Sequence, residues 1–269
     1  MSSPGLPHVA WREDRAAPVI SVVIPALDDA EMLRVVLELL RDQIRTADEI
    51  IVVDNGSRDD TVAVAVAGGA RVIYERLPGI WPAAAAGYDA AAGDLVARLD
   101  ADSRPPADWL AHIEAEFETA PEIDVITGPG DFYDGNPIAV LLGQNLYIGG
   151  YFWAMSIWLG RPPIFGSNFA MRREMWQRVR PHVHRELRAV HDDLDLSLHL
   201  PPDAIVVLDE SLRVGISARP FSSWHGLGRR LGWAYLTLRM HWPQNAPWRM
   251  RAARRRARAR DGALPDAIG

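Results

Sequence analysis

The chain has 269 residues, 48% of them hydrophobic and 24% charged, enough to bury one large core in an α/β domain with an appendage. It contains no cysteine, which excludes disulfides, thiolate metal sites and cysteine nucleophiles and suits a reducing cytoplasm. The net charge of −6 hides a segregation: from Ser211 onward twelve arginines stand against Asp261 and Asp266, a net +10, which leaves −16 on the first 210 residues.

Residues 1–17 carry no apolar stretch and predict a disordered lead-in without a secretory signal. Val19 to Ile24 is an unbroken apolar run ended by Pro25, as expected of a strand buried on both faces. Asp28-Asp29-Ala30-Glu31 offers a cap with a glutamate three positions on. Leu33, Val36, Leu37, Leu40 and Ile44 then form the apolar stripe of a helix. Ile50 to Val53 predicts a second buried strand, running into the turn sequence Asp54-Asn55-Gly56-Ser57. Asp59-Asp60-Thr61 starts a second helix, Gly68-Gly69 stops it, and Arg71 to Glu75 predicts a third strand. Arg76 and Gly79 precede an alanine-rich helix opened by Pro82 and ended at Gly93. The free N–H groups at that helix start suit an anion, and Arg76 can reach the same place.

The next strand closes on Asp94-Leu95-Val96-Ala97-Arg98-Leu99-Asp100-Ala101-Asp102-Ser103. Side chains alternate along a strand, so Asp100 and Asp102 point the same way where it runs out into a loop. Two hard carboxylates there can hold a divalent cation that keeps positions open for phosphate oxygens. A helix through Trp109, Ile113 and Phe117 follows. Such β-α alternation predicts a mostly parallel sheet with helices on both faces. Ligands belong at the carboxyl ends of its strands, where Asp28, Asp54 and Asp100 fall.

The regularity breaks after Asp131. Gly135 to Gly160 is 26 residues without a charge, including Leu141, Leu142, Tyr147, Ile148, Tyr151, Phe152, Trp153 and Trp158. Pro137, Gln144, Asn145 and Gly149-Gly150 argue against a membrane span and for a buried or membrane-interface helix. Asp192, Asp193 and Asp195 open a later helix, whose dipole keeps a carboxylate ionised at neutral pH, as a general base requires. His191, Asp195 and His199 fall four residues apart and read as a structural row rather than a metal site. The C-terminal part mixes Arg219, Phe221, Trp224, His225, Arg229, Arg230, Trp233, Tyr235, Arg239 and Trp242, followed by arginines from Arg249 to Arg260. That composition suits a helix on anionic lipid, ending in a solvated tail. No nucleic-acid fold motif accompanies it, so nucleic acid is not expected as a partner.

Five segments, in order, resemble family-two glycosyltransferases of the GT-A fold. They are Ser21-Val22-Val23-Ile24-Pro25, Ile51 to Thr61 with Asp54-Asn55-Gly56-Ser57, Leu99-Asp100-Ala101-Asp102, Gly166 to Arg173, and Asp192-Asp193-Leu194-Asp195-Leu196. The resemblance spans roughly residues 19 to 200. It implies a GT-A domain over residues 18–215, with a nucleotide-binding half (18–104) and an acceptor half (105–215). A helical aromatic and basic extension (216–248) and an arginine-rich tail (249–269) follow.

It also implies roles. Asp54 would accept a hydrogen bond from the nucleobase, usually uracil, with Pro25, Ala26 and Asp28 lining base and ribose, although many members carry asparagine where this chain has Asp28. Arg76, Gly79 and Ala101 would border the nucleoside diphosphate. Asp102 would hold Mn²⁺ or Mg²⁺, Asp100 would act through ribose or water, and His225 is the candidate third ligand. Gly166, Ser167 and Asn168 would border the acceptor, with Asp193 as base and Asp192 next in line. The expected activity is inverting transfer of a sugar from a nucleotide-diphosphate sugar, UDP-sugar favoured, to a hydroxyl of a lipid or polysaccharide. It would take place in the cytoplasm, peripherally at the inner face of the membrane. A polyprenyl-phosphate sugar synthase and a non-catalytic sugar-nucleotide-binding protein are the alternatives.

Overall fold

The structure, a computed structural model, describes residues 17–135, 148–219 and 224–260, apart from the side chains of residues 224–227 and 229–231. Leu141, Leu142, Tyr147 and Phe221, the lead-in before Ala17 and residues 261–269 lie outside the described residues, as do the side chains of Trp224, His225, Arg229 and Arg230.

β1 (Ile20–Ala26) is buried along its whole length between two parallel neighbours, as its apolar run requires. It runs through Pro25 to Ala26 rather than stopping at the proline. Pairing with its neighbour β4 (Leu95–Leu99) ends at Val23, so the missing N–H of Pro25 breaks no bond on that side. α1 (Ala30–Arg41) buries Leu33, Val36, Leu37 and Leu40, whereas Ile44 lies past the helix end and is 77% exposed. The expected local cap is absent: the Ala30 N–H donates to Asp59 Oδ2 at 3.0 Å, while Asp28 Oδ1 accepts the Arg58 N–H at 2.6 Å. The start of α1 is thus capped from the loop after the next strand.

β2 (Glu49–Asp54), α2 (Thr61–Ala67), β3 (Arg71–Tyr74), α3 (Ile80–Ala90) and α4 (Trp109–Thr119) complete the regular half. Alternate residues of each strand feed opposite faces. Val22, Ile24, Val52 and Ala97 pack under α1, α2 and α4, while Val23, Ile51, Val53 and Val96 pack under α3. Gly87 of α3 permits that approach, because a Cβ there would come within 2.2 Å of Val23 Cγ1.

The second half adds β5 (Val125–Thr127), β6 (Gly130–Phe132), α5 (Gly150–Leu159), β7 (Asn168–Arg172), α6 (Arg173–Val179), α7 (Asp192–His199), β8 (Val206–Leu208), β9 (Val214–Ile216), α8 (Trp224–Met240) and α9 (Pro247–Arg260). The seven-stranded sheet runs β3-β2-β1-β4-β7-β5-β8 and is parallel except for β7, which pairs antiparallel with both β4 and β5. β6 and β9 form a small separate ribbon.

In the second half the expectation against a membrane span stands among the described residues, and the expectation of a solvated tail changes. The described helix in the uncharged run, α5, is about 15 Å long at 1.5 Å per residue, and no helix of the described residues is long and apolar enough to cross a membrane. The residues after Arg249 form α9 rather than a solvated tail up to Arg260. Arg251 donates to the Ile157 carbonyl of α5, and buried Arg254 reaches the carbonyls of Pro202 and Ala204. Arginines carry long apolar stems, which let this basic helix pack.

Candidate active site

The end of β4 forms a tight turn: the Asp100 N–H donates to Ser103 Oγ at 3.0 Å, and the Ser103 N–H returns to the Asp100 carbonyl at 3.0 Å. The turn brings Asp100 and Asp102 into one cleft of about 110 Å³, with Gly166, Ser167, Asp192 and Asp193 also in its wall. Asp100 Oδ2 accepts the Ser167 hydroxyl at 2.6 Å. Asp102 Oδ2 accepts Arg219 Nη2 at 2.8 Å, and the same guanidinium reaches Asp29 Oδ1 at 3.1 Å. Burial, and then Asp100, push the Asp102 carboxyl above its ordinary range in spite of Arg219.

Arg98 is the residue that sequence reasoning missed. It faces the α3 side from the middle of β4 and is 2% exposed. Its Nη1 donates to Asp192 Oδ2 at 2.5 Å and to the Tyr88 hydroxyl at 3.3 Å, and its Nη2 donates to Asp100 Oδ1 at 3.1 Å. One buried cation therefore ties the end of β4 to the start of α7. The signal was an arginine inside an otherwise apolar strand, since such a charge must find partners.

α7 begins at Asp192, with His191 just before it. Asp193 Oδ2 accepts the Gly166 N–H at 3.0 Å, and His191 Nδ1 lies 2.5 Å from Asp193 Oδ1. A Cβ on Gly166 would sit 3.2 Å from Asp193 Oδ2, so this close approach favours glycine. Burial alone would raise the Asp193 carboxyl. The His191 charge and hydrogen bond, the Gly166 N–H and Arg98 outweigh it and hold the carboxyl below its ordinary value.

Gly166 and Ser167 reach the cleft, but Asn168 does not. It is 0% exposed, and its amide is spent inside the protein: Oδ1 accepts Trp109 Nε1 at 2.9 Å, while Nδ2 donates to the carbonyls of Leu212 at 2.5 Å and Pro129 at 3.3 Å. Its role is to lock β7 between α4 and the loop before β9.

The donor-side residues divide. Asp54 is 5% exposed, and its carboxylate accepts the N–H groups of Gly56 at 3.3 Å and Ser57 at 3.1 Å, so it shapes its own turn. Asn55 bonds the carbonyls of Glu75 and Leu77 and accepts the Gly79 N–H at 2.7 Å, stitching the β3–α3 loop to the end of β2. Ala26 and Ala101 bury their side chains in the core, so what they offer a ligand is backbone. Arg76 is exposed. Pro25, Ala26, Asp28, Asp54, Arg76 and Gly79 are outside the cleft that holds Asp100 and Asp102. Among the described residues no third side chain completes a ligand set with those two aspartates, and the side chain of His225 lies outside the description.

The family model for Glycosyl transferase family 2 matches residues 21–180. Over 113 residues the chain is 38% identical to an uncharacterized glycosyltransferase of Mycobacterium tuberculosis, a stretch covering 42% of this chain and 49% of that protein. Over 101 residues it is 36% identical to the glucosyl-3-phosphoglycerate synthase of Mycolicibacterium smegmatis, covering 34% of this chain and 33% of that one. The chain thus spans about half the length, or less, of these curated relatives. The Mycobacterium tuberculosis glucosyl-3-phosphoglycerate synthase, solved with Mn²⁺, uridine-diphosphate-glucose and phosphoglyceric acid, superposes with a TM-score of 0.59 at 22% identity. The superposition covers 93% of this chain and 82% of that one, a likeness of fold.

Proposed function

Because the chain belongs to glycosyl transferase family 2, we propose that it is an inverting, metal-dependent glycosyltransferase that moves a sugar from a nucleotide-diphosphate sugar to an acceptor hydroxyl. The observation that carries this reading is the single cleft walled by Asp100, Asp102, Ser167, Asp192 and Asp193. It holds both kinds of carboxylate the reaction requires, one for a cation beside a leaving diphosphate and one for a proton.

The cleft's donors fit a hard divalent cation. Asp100 and Asp102 offer carboxylate oxygens only, and burial, then Asp100, raise the Asp102 carboxyl in spite of Arg219. Mn²⁺ or Mg²⁺ held by Asp102, with Asp100 beside it, would supply Lewis-acid stabilisation to the leaving diphosphate. Arg219 has to release Asp102 Oδ2 for that, and the freed guanidinium can then bind phosphate oxygens.

Asp193 takes the acceptor proton. Its low carboxyl keeps it ionised at neutral pH, and His191 beside Oδ1 orients it. Asp192, held by Arg98 through one of its oxygens, is the second candidate. Asp54 retains lone pairs beyond its two turn contacts and can accept the imide N–H of uracil, with Pro25, Ala26 and Asp28 beside it and Arg76, Gly79 and Ala101 toward the diphosphate. A UDP-sugar is favoured because the mycobacterial synthase of like fold binds uridine-diphosphate-glucose. The same neighbour adds a phosphorylated hydroxy acid to lipid and polysaccharide hydroxyls as acceptor classes. Exposed Arg255 and Arg256 on α9 support peripheral contact with an anionic membrane from the cytoplasmic side.

A thermal-shift screen of nucleoside diphosphates tests the reading, since a ligand that binds only the folded state raises Tm. The expected result is a rise with UDP that depends on Mn²⁺ or Mg²⁺, is abolished by EDTA and is absent in Asp102→Asn. Equal shifts with EDTA present, or full sugar transfer by that variant, would remove the metal from the reading.

A further inference from the structure

Asp195 lies two residues beyond Asp193 in α7 but is wholly buried away from the cleft. Three imidazoles surround it: His184 from the segment before α7, His199 from the far end of α7, and His241 directly after α8. His184 Nδ1 lies 2.9 Å, His241 Nε2 3.2 Å and His199 Nδ1 3.4 Å from Asp195 Oδ1. The ring centroids are 4.8–5.1 Å apart, and the four residues offer ligand atoms that all lie within 4.8 Å of one another.

The hydrogen bonds around this group turn Asp195 Oδ1 and the ring nitrogens toward one another. Asp195 Oδ2 accepts Trp81 Nε1 at 2.9 Å and the His184 N–H at 2.8 Å, which fixes the carboxylate with Oδ1 toward the rings. His241 Nδ1 lies 2.7 Å from the Thr237 carbonyl, and His199 Nδ1 lies 2.8 Å from the Asp195 carbonyl. A carbonyl only accepts, so each Nδ1 carries the proton, and in the neutral ring each Nε2 is a bare lone pair. His241 is 7% exposed, with its Nε2 3.2 Å from Asp195 Oδ1, in position for an ion pair or a shared cation. A cation between these atoms can be shared by the carboxylate and the rings. Protonating all three rings would instead crowd three like charges in a site shielded from solvent.

We propose that His184, Asp195, His199 and His241 form a second metal site, separate from the Asp100–Asp102 cleft, for a borderline divalent cation of the zinc class. Three imidazoles and one carboxylate make a nitrogen-rich set that suits Zn²⁺ rather than Mg²⁺ or Ca²⁺, and four protein ligands close the shell as structural sites do. Metal–ligand bonds of about 2.0–2.1 Å place tetrahedral ligand atoms about 3.4 Å apart, so small side-chain rotations gather the present set. The Thr237 and Asp195 carbonyls hold the outer nitrogens of two rings, as orienting partners of metal-bound histidines do. The His184 side chain is 38% exposed and gives the ion a way in. The ion would pin the end of α8 and the segment before α7 onto the helix that carries Asp192 and Asp193. Two other groups lack this character: His112, Glu116 and Asp209 are all partly exposed, and His191, Asp192 and Asp193 belong to the cleft.

The full chain carrying Asp100→Asn and Asp102→Asn, stripped with a chelator, isolates this site from the cleft. Titrated with Zn²⁺ or Co²⁺ alone, it should take up one ion per chain by elemental analysis. Zn²⁺ should raise its Tm, and Co²⁺ should show the intense visible bands of four-coordination. Adding His241→Gln, or the more exposed His184→Gln where the first does not fold, should abolish bands and Tm rise while the circular dichroism stays that of the parent. No uptake by the folded, stripped protein overturns the proposal. So does a His184→Gln variant with an unchanged Co²⁺ spectrum, or Co²⁺ bound only with the weak bands of six-coordination.

Discussion

Asp193 and Asp195 belong to the same helical turn of α7 and to the same short acidic segment, yet the fold gives them opposite surroundings. Asp193 opens on a cleft and has one imidazole, one backbone N–H and the field of Arg98 about it. Asp195 is 0% exposed, meets three imidazoles and an indole N–H, and its carboxyl is pulled down to about 2 by these partners against the cost of burial. A carboxylate in the wall of a cleft can accept a proton from a ligand. One that is enclosed and fully engaged can only hold structure, or an ion. Helix position does not decide between the two; what α7 packs against does.

Exchanging the groups one at a time breaks this contrast, and the cleft should show the largest effect. Asp193→Asn keeps size but cannot take the acceptor proton, so turnover should fall by roughly 10²–10⁴ with nucleotide binding near normal. Turnover within a few-fold of the parent would transfer the base role to Asp192. If Asp192→Asn were also active, an acceptor that arrives already ionised, such as a lipid phosphate, would become the better reading.

Next comes the cation joining the cleft to the helix. Arg98→Met leaves Asp100 and Asp192 without their buried partner and should cost about 3–5 kcal/mol in urea unfolding. An unchanged midpoint would mean that solvent already screens this pair.

The enclosed carboxylate should act through stability and pH. Its carboxyl is depressed in the folded state from the ordinary 3.8 to about 2, so its contribution is present above pH 4 and is lost as pH falls toward 2. That shift corresponds to about 2 kcal/mol. Asp195→Asn should be less stable by about that amount at neutral pH, with the gap to the parent closing between pH 4 and pH 2. A gap that stays constant through this range would assign the loss to packing alone.

The smallest effect should come from the periphery. Arg255→Gln with Arg256→Gln should weaken binding to anionic vesicles roughly tenfold or more, at about 1 kcal/mol per arginine near the surface. The difference should shrink as salt rises. Equal binding of parent and variant to neutral and anionic vesicles would detach α9 from any lipid role.

Much of the regular half was legible because its signals are local. The apolar runs of β1 and β2, the stripe Leu33-Val36-Leu37-Leu40 and the turn glycines each occupy a few consecutive residues. Asp100 and Asp102 at a strand end, and Asp192 and Asp193 at a helix start, are local signals of the same kind, whereas their meeting in one cleft comes from the fold. The misses share a different cause. The cap of α1 comes from Asp59, the partner of Asp102 is Arg219, and the fate of Asn168 depends on Trp109 and Leu212. Each is a contact across 29 to 117 residues or a bond between separate elements, which no short window displays.

By itself, then, the sequence determined the order of strands and helices up to the helix through Phe117, and the placing of carboxylates at element ends, because period and turn chemistry act over a few residues. The tertiary structure decided the pairings. Inserting β7 antiparallel beside β4 delivers Gly166 and Ser167 to Asp193 and Asp100, and it brings α7 within reach of Arg98. The packing of α8 delivers His241 to Asp195 from 46 residues away, and the His191–His199 row divides between the cleft and the enclosed cluster. Charges choose partners by distance and burial, and both quantities exist only once the chain has closed on itself.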